Sequence, residues 1–261
     1  MQEKLFIIAL FCYLISSVKY FLYLAFRRKL LFIVANSSVA AGFVVHTAGL
    51  VMRSIQTGQG PYTSGYEYTL FFSWAIILVY LIVEIRYRIQ DFGSFVVPMG
   101  FLLLVYSLTL PSETVAANPA IKLSLTLHRT LSFLGYSAFA LAFGAGIMYL
   151  LQERQLKSKK FGPLFYRLPS LEVIDDINHK LVAFGFPVFS IGFITGSMLA
   201  LKGKGSFFSW QLSTLPLMVT WIIYGGLFTG RIAVGLRRKK AAVWAIIGFL
   251  SVMATYFLHV Y

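Results

Sequence analysis

Acidic residues are scarce in this chain: nine Asp and Glu stand against 23 Lys and Arg in 261 residues, and charged residues of both signs make up only 12%. A soluble domain carries about a quarter charged residues, so that class is excluded. Cysteine is scarcer still. Cys12 is alone, which rules out an internal disulfide, a CxxC redox pair and a cysteine metal centre. The bulky Phe11 in ALFCYL argues against an acylated cysteine. The first apolar run has no small-residue cleavage site and reads as a retained helix. No Ser–His–Asp set, Walker loop, HExxH pair or paired-carboxylate site is present, so hydrolytic chemistry has no support. Nor is there a soluble domain, an internal repeat or a low-complexity tract.

What is abundant is apolar. Hydrophobic residues make up 58% of the chain, and the mean hydropathy is +0.77. Eight runs approach the roughly 20 apolar residues that cross a bilayer: 4–26, 30–53, 66–86, 93–111, 124–152, 173–201, 212–236 and 241–260. The expected fold is all-α, a polytopic integral membrane bundle of about eight transmembrane helices in a single domain, 1–261. The fourth and eighth runs are near the minimum length; the fifth and sixth are long enough to protrude. The net charge of +14 does not point to nucleic acid, because the cations cluster between apolar runs. Arg27 to Lys29, Arg86 with Arg88, Arg154 to Arg167, and Arg237 to Lys240 fill four alternate loops. The positive-inside rule puts those loops in the cytoplasm and both termini outside.

Few polar residues interrupt the spans, and each needs a reason. His128 opens the fifth run and His259 closes the eighth, so this topology sets both at the outer face. Two neutral imidazoles at one depth could ligate a haem iron from both sides; interfacial rings hydrated like Trp and Tyr are the other reading. His46 lies inside the second run and suits an interhelical hydrogen bond. His179, beside Lys180 and after Asp175 and Asp176, reads as a solvated helix end whose acids complement the macrodipole. Glu67 suits a helix N-terminus, and Glu84 and Arg88 have the i,i+4 spacing of an ion pair. Glycines of the fifth and sixth runs (135, 144, 146, 185, 192, 196) allow close helix packing, and Pro98 and Pro187 predict kinks. The short outer segment KGSFFSWQLSTLP, 204–216, packs Phe207, Phe208 and Trp210 between apolar runs. Its core, 203–212, is either an aromatic anchor facing lipid or a platform facing a groove.

These residues carry a resemblance. The stretch GFVVHTAGLVMRSIQTGQGPYTSGYEYTLFFSW resembles the corresponding run of the CcsA/ResC branch of the cytochrome c assembly family, which also includes CcmC and CcmF. Gly58, Pro61, Tyr66, Glu67 and Trp74 fit, and Gln59 stands where the family often has His. The sixth run resembles the family's GFP…G…G-A helix, with His179 at a position where Tyr is usual. KGSFFSWQLSTLPLMVTWIIY aligns with the family's Trp-rich loop of the form WGxYWSWDPKETW and the helix after it. Gly205, Ser209, Trp210, Trp221 and Tyr224 are kept. Lys204, Phe208 and Pro216 replace tryptophans, Gln211 replaces the aspartate, and Thr229 falls where the family has an intramembrane histidine. His128 and His259 fit the two histidines that flank the loop.

The resemblance implies a haem-handling protein of cytochrome c biogenesis in the bacterial cytoplasmic membrane. It would hold haem b at the outer face between His128 and His259 as iron ligands, with Trp210, Phe207 and Phe208 as the aromatic platform. It implies a membrane partner and an apocytochrome, and at most a subunit's share in a haem-attachment system, since the chain has no thiol pair. Thr229 cannot ligate iron as histidine does, so a relay through that position is not implied. An alternative from another class is a HemX-like accessory or regulatory protein of tetrapyrrole synthesis, acting on the cytoplasmic side. A transporter lacks the expected inverted repeat and paired broken helices.

Overall fold

The computed structural model describes residues 2–58, 60, 63–112, 122–159, 162, 165–204 and 214–260, with the backbone alone at 122–123, 203–204 and 259–260. The described residues form eight helices and no strand: α1 Gln2–Phe26, α2 Lys29–Thr57, α3 Gly65–Tyr87, α4 Gly93–Ser107, α5 Lys122–Ser158, α6 Leu171–Lys204, α7 Leu215–Ala233 and α8 Lys239–Val260. This is the all-helical membrane architecture expected from the hydropathy. Seven helices are long and apolar enough to cross a membrane. The shorter α4 has 15 residues, about 22 Å at 1.5 Å per residue, against a hydrocarbon core of about 30 Å. Its apolar run was expected to continue to 111, but the helix tightens at its end. Leu108, Thr109 and Leu110 donate to carbonyls three residues back, just before Pro111. In contrast, α5 and α6 reach 37 and 34 residues, as their long runs suggested.

The chain forms two compact units, Met1–Thr114 with Leu150–Leu171, and Val115–Tyr149 with Glu172–Tyr261. The helix α5 therefore contributes to both.

In the first unit, α1 and α2 form an antiparallel hairpin. Arg27 turns the chain with φ 57°, in the left-handed region. Close approach is set by small residues: a Cβ on Gly49 would lie 2.6 Å from the Phe6 ring, and one on Gly42 would lie 2.8 Å from the Tyr13 ring. Polar groups face inward along α1. Ser16 Oγ donates to Ala35 O at 2.9 Å, and the Tyr20 and Tyr80 hydroxyls meet at 2.6 Å. His46 is buried, with Nδ1 3.3 Å from the Tyr13 hydroxyl, the interhelical bond expected of it. At one end of the unit, Arg27 pairs with Asp91 at 3.0 Å and donates to the Arg167 carbonyl, while Arg167 donates to Leu24 O at 2.5 Å. Burial pushes the Asp91 carboxyl above its ordinary range, and the Arg27 guanidinium pulls it partly back.

The Glu84–Arg88 ion pair suggested by spacing does not form among the described residues. Arg88 leaves the helix in the left-handed region at φ 53°, so i,i+4 geometry ends there. Glu84 stays buried with Oε2 lacking a partner.

The second unit packs on glycines and aromatic faces. The Phe139 and Tyr224 rings stack with centroids 3.5 Å apart, and the Tyr224 hydroxyl donates to Ala245 O at 3.0 Å. A Cβ on Gly185 would lie 2.9 Å from the Ala138 Cβ, and one on Gly135 would lie 2.6 Å from the Phe189 Cβ. The packing role expected of these glycines is met, and Pro187 lies inside a continuous α6.

Candidate functional site

The antiparallel α5–α6 pair builds a socket for one ring. Its register sets 138 beside 185, 135 beside 189, 132 beside 192 and 128 beside 196. Gly192 and Gly196 stand where α5 comes closest. A Cβ on Gly192 would lie 2.7 Å from Ser132 Oγ, and one on Gly196 would lie 2.6 Å from His128 Nδ1. The imidazole of His128 thus fills the space that a side chain at 196 would occupy. Its Nδ1 lies 2.7 Å from the Gly192 carbonyl oxygen. A carbonyl only accepts, so Nδ1 is the donor in this contact. Histidines that ligate metals commonly show this arrangement, with the other ring nitrogen fixed by a carbonyl. His128 is half-buried, and an imidazole held in this way is of the kind that can ligate iron.

His259 lies in the last turn of α8, and its side chain is outside the described residues. The α5–α8 register bears on its level. Phe143 packs on Phe249, and a Cβ on Gly146 would meet Ala242 O and Ile246. Continued along both antiparallel helices, this register sets position 259 level with about residue 131, within one turn of His128. Phe207, Phe208 and Trp210 lie outside the described residues, as does most of the 203–212 loop. Thr229 is exposed and donates its hydroxyl to Gly225 O at 2.7 Å, so its oxygen is engaged within α7. Trp221, kept from the family pattern, donates to Ser190 Oγ at 3.1 Å.

Two features escaped the sequence. The first is the pair of Arg53 and Glu67, 2.8 Å apart with side chains 5% and 0% exposed. Glu67 Oε2 also accepts from the Thr63 backbone N–H at 2.8 Å and its hydroxyl at 2.6 Å. Arg53 donates to Ser112 O at 2.9 Å and lies over the Tyr66 ring. The family-like Tyr66–Glu67 pair is thus the anchored start of α3, capped by Ser64. The second is Arg231, an intramembrane cation in LFTGRIAVGL whose position alone is a signal of function. It pairs with Asp175 at 3.1 Å and donates to Asn178 Oδ1 at 2.6 Å. His179, expected to be a solvated helix end, is half-buried and lines a cavity with Arg231.

Together, the seven long apolar helices define a polytopic membrane protein, and its second unit holds a histidine in an interhelical glycine socket. Residues 62–261 match the family described as Cytochrome C assembly protein. The chain belongs to that family. It is 26% identical over 264 residues to the Cytochrome c biogenesis protein CcsA of Guillardia theta, covering 93% of this chain and 88% of that protein. It is 25% identical over 298 residues to the CcsA of Gloeobacter violaceus, covering 93% and 88%. It is also 26% identical over 216 residues to Protein HemX of Brevibacillus brevis, covering 82% and 79%.

Proposed function

We propose that the chain handles haem during cytochrome c biogenesis in the bacterial cytoplasmic membrane. Haem b would be held at the outer face, with His128 and His259 as the residues that bind its iron. The 203–212 loop closes the site through Phe207, Phe208 and Trp210. The observation that carries this reading is the seating of the His128 ring against Gly196, with Nδ1 held 2.7 Å from Gly192 O. The α5–α8 register supports His259 as the second ligand. Bound haem supplies the iron and the vinyl groups to which apocytochrome thiols add. The protein's residues bind the ring, orient it and shield its iron. Cys12 is the chain's only thiol, so a membrane partner must manage the apocytochrome cysteines.

The topology behind this reading needs α4 to cross. Only then do the four basic loops share one side and His128 and His259 the other. Local bilayer thinning accommodates a short span at modest cost. Reporter fusions after Lys160 and after Lys240 should both read as cytoplasmic; an outside signal at either inverts the site.

The second reading, a HemX-like regulator of tetrapyrrole synthesis, is favoured by the likeness to Protein HemX and by Gln211 and Thr229 in place of the family's aspartate and histidine. One cellular assay separates the two. A His128→Ala chain replacing the wild type should abolish covalently haem-stained c-type cytochromes. Unchanged cytochromes with altered early tetrapyrrole levels would instead select the regulatory reading.

A further inference from the structure

The cavity at the start of α6 and the end of α7 lies wholly within the second unit. It has a volume of about 390 Å³ and includes Glu172, Val173, His179, Arg231 and Arg237 in its lining. Arg231 is 7% exposed, yet its Nε has no partner. The Nδ1 of His179 is likewise buried without one. Buried polar nitrogens without a hydrogen-bond partner cost free energy, and the two residues that carry these line one cavity.

The charges around them are already sorted. Asp175 is engaged by Arg231 at 3.1 Å and by the Arg238 N–H at 3.2 Å. Asp176 is paired with Lys180 at 2.6 Å. Among the described residues, that leaves one exposed cation and one exposed anion on the rim, Arg237 and Glu172, with no ion pair between them. The lining therefore offers a buried guanidinium nitrogen and an imidazole, an exposed guanidinium and an exposed carboxylate, beside the already paired Asp175 and Asp176.

Its depth points to a source. Arg231 lies two residues before the end of a membrane-crossing helix. Val173, an exposed apolar side chain, is in its lining, and the exposed Ile232 and Val234 follow Arg231 in the chain. A pocket of mixed charge at the end of a span lies at the level of lipid headgroups.

We propose that this cavity binds a zwitterion with one phosphate and one primary ammonium, the headgroup chemistry of phosphatidylethanolamine. Arg231 Nε, the Arg237 guanidinium and the His179 ring donate to the phosphate oxygens. Glu172 accepts from the ammonium, and the acyl chains lie over Val173 and Ile232. The site is independent of the haem reading, since none of its residues belongs to the His128 socket.

Delipidated full-length protein, offered phosphatidylethanolamine, phosphatidylglycerol or phosphatidylcholine of matched chains, would be read by native mass spectrometry. Phosphatidylethanolamine should be retained about tenfold over the other two. Both rim residues are exposed, so their variants should fold. Glu172→Gln should erase the preference over phosphatidylglycerol, and Arg237→Gln should weaken retention of both. Free phosphoethanolamine separates the sources. If it alone raises the melting temperature, and Glu172→Gln and Arg237→Gln remove that effect, the ligand is a soluble zwitterion of the same chemistry. If it has no effect while the lipid is retained, the ligand is the lipid. Equal retention of the three lipids without an effect of phosphoethanolamine, or rim variants that behave as wild type, overturns the proposal.

Discussion

The two units solve the burial of polar groups differently. The first spends its polar side chains on itself. Arg53 closes on Glu67, Tyr20 on Tyr80 and Arg27 on Asp91, and of the buried atoms left without a hydrogen bond, Ser17 Oγ, His46 Nε2, Glu84 Oε2 and Gln152 Oε1 lie on different helices. The second gathers two unpartnered nitrogens at one cavity. His128 is held by the Gly192 carbonyl in a glycine socket, and Arg231 Nε and His179 Nδ1 are buried without partners on residues that line that cavity. Buried polar groups that satisfy one another specify a packing; those held fixed at an opening are the ones a ligand completes. The comparison makes the second unit the place to test for a ligand.

The sharpest break of that comparison is at Arg53. Arg53→Ala strands the Glu67 carboxylate with 0% exposure and should cost about 3–5 kcal/mol, read as reduced resistance to denaturant unfolding in detergent. Replacing the pair together, with Arg53→Met and Glu67→Leu, should restore most of that loss. A double variant as weak as the sum of the singles would remove the pair's structural role.

The next effect tests the socket. Gly196→Ala puts a methyl group into the His128 ring and should cost about 1–3 kcal/mol. It should also displace the imidazole and change any haem spectrum. Gly226, with no neighbour within 4 Å of an added Cβ, is the control. Gly226→Ala should leave the spectrum alone and add up to about 1 kcal/mol through helix propensity. Equal behaviour of the two variants would empty the socket of meaning.

The smallest effect belongs to Asp91 in the first unit. Its carboxyl titrates above the ordinary 3.8 in the folded state, so the native chain holds the proton over a window where the unfolded chain has lost it. Asp91's contribution is therefore largest below pH 3.8 and declines as pH rises through its raised folded value. Asp91→Asn should flatten that slope by less than about 1 kcal/mol, since the partly exposed Arg27 is screened. Stability curves of the two proteins with identical slopes from pH 3.5 upward would contradict it.

Much of this was legible in the residues. Apolar runs near bilayer length gave all eight helices, because crossing hydrocarbon leaves the chain few other choices. The glycines of α5 and α6 announced close packing, and the family-like flanks singled out His128. What stayed hidden depends on which side chain meets which. Arg53 reaches Glu67 only because α2 turns back into α3 through Gly58, which adopts φ 67°. Glu84 and Arg88 had the right spacing, but the helix ends at Arg88. The Gly192 carbonyl that fixes His128 lies 64 residues away. No local pattern encodes that bond, and none revealed that Arg231 and His179 border one cavity.

The central claim is that His128 and His259 hold a haem iron. Absorption spectra of detergent-purified protein titrated with haem test it most directly. The wild type should give the low-spin spectrum of bis-histidine ligation, and His128→Ala or His259→Ala should change or abolish it. His179→Ala, at the far end of α6 from Gly196, should leave it unchanged. The same spectrum from the wild type and from the His128→Ala, His259→Ala double variant would contradict the account.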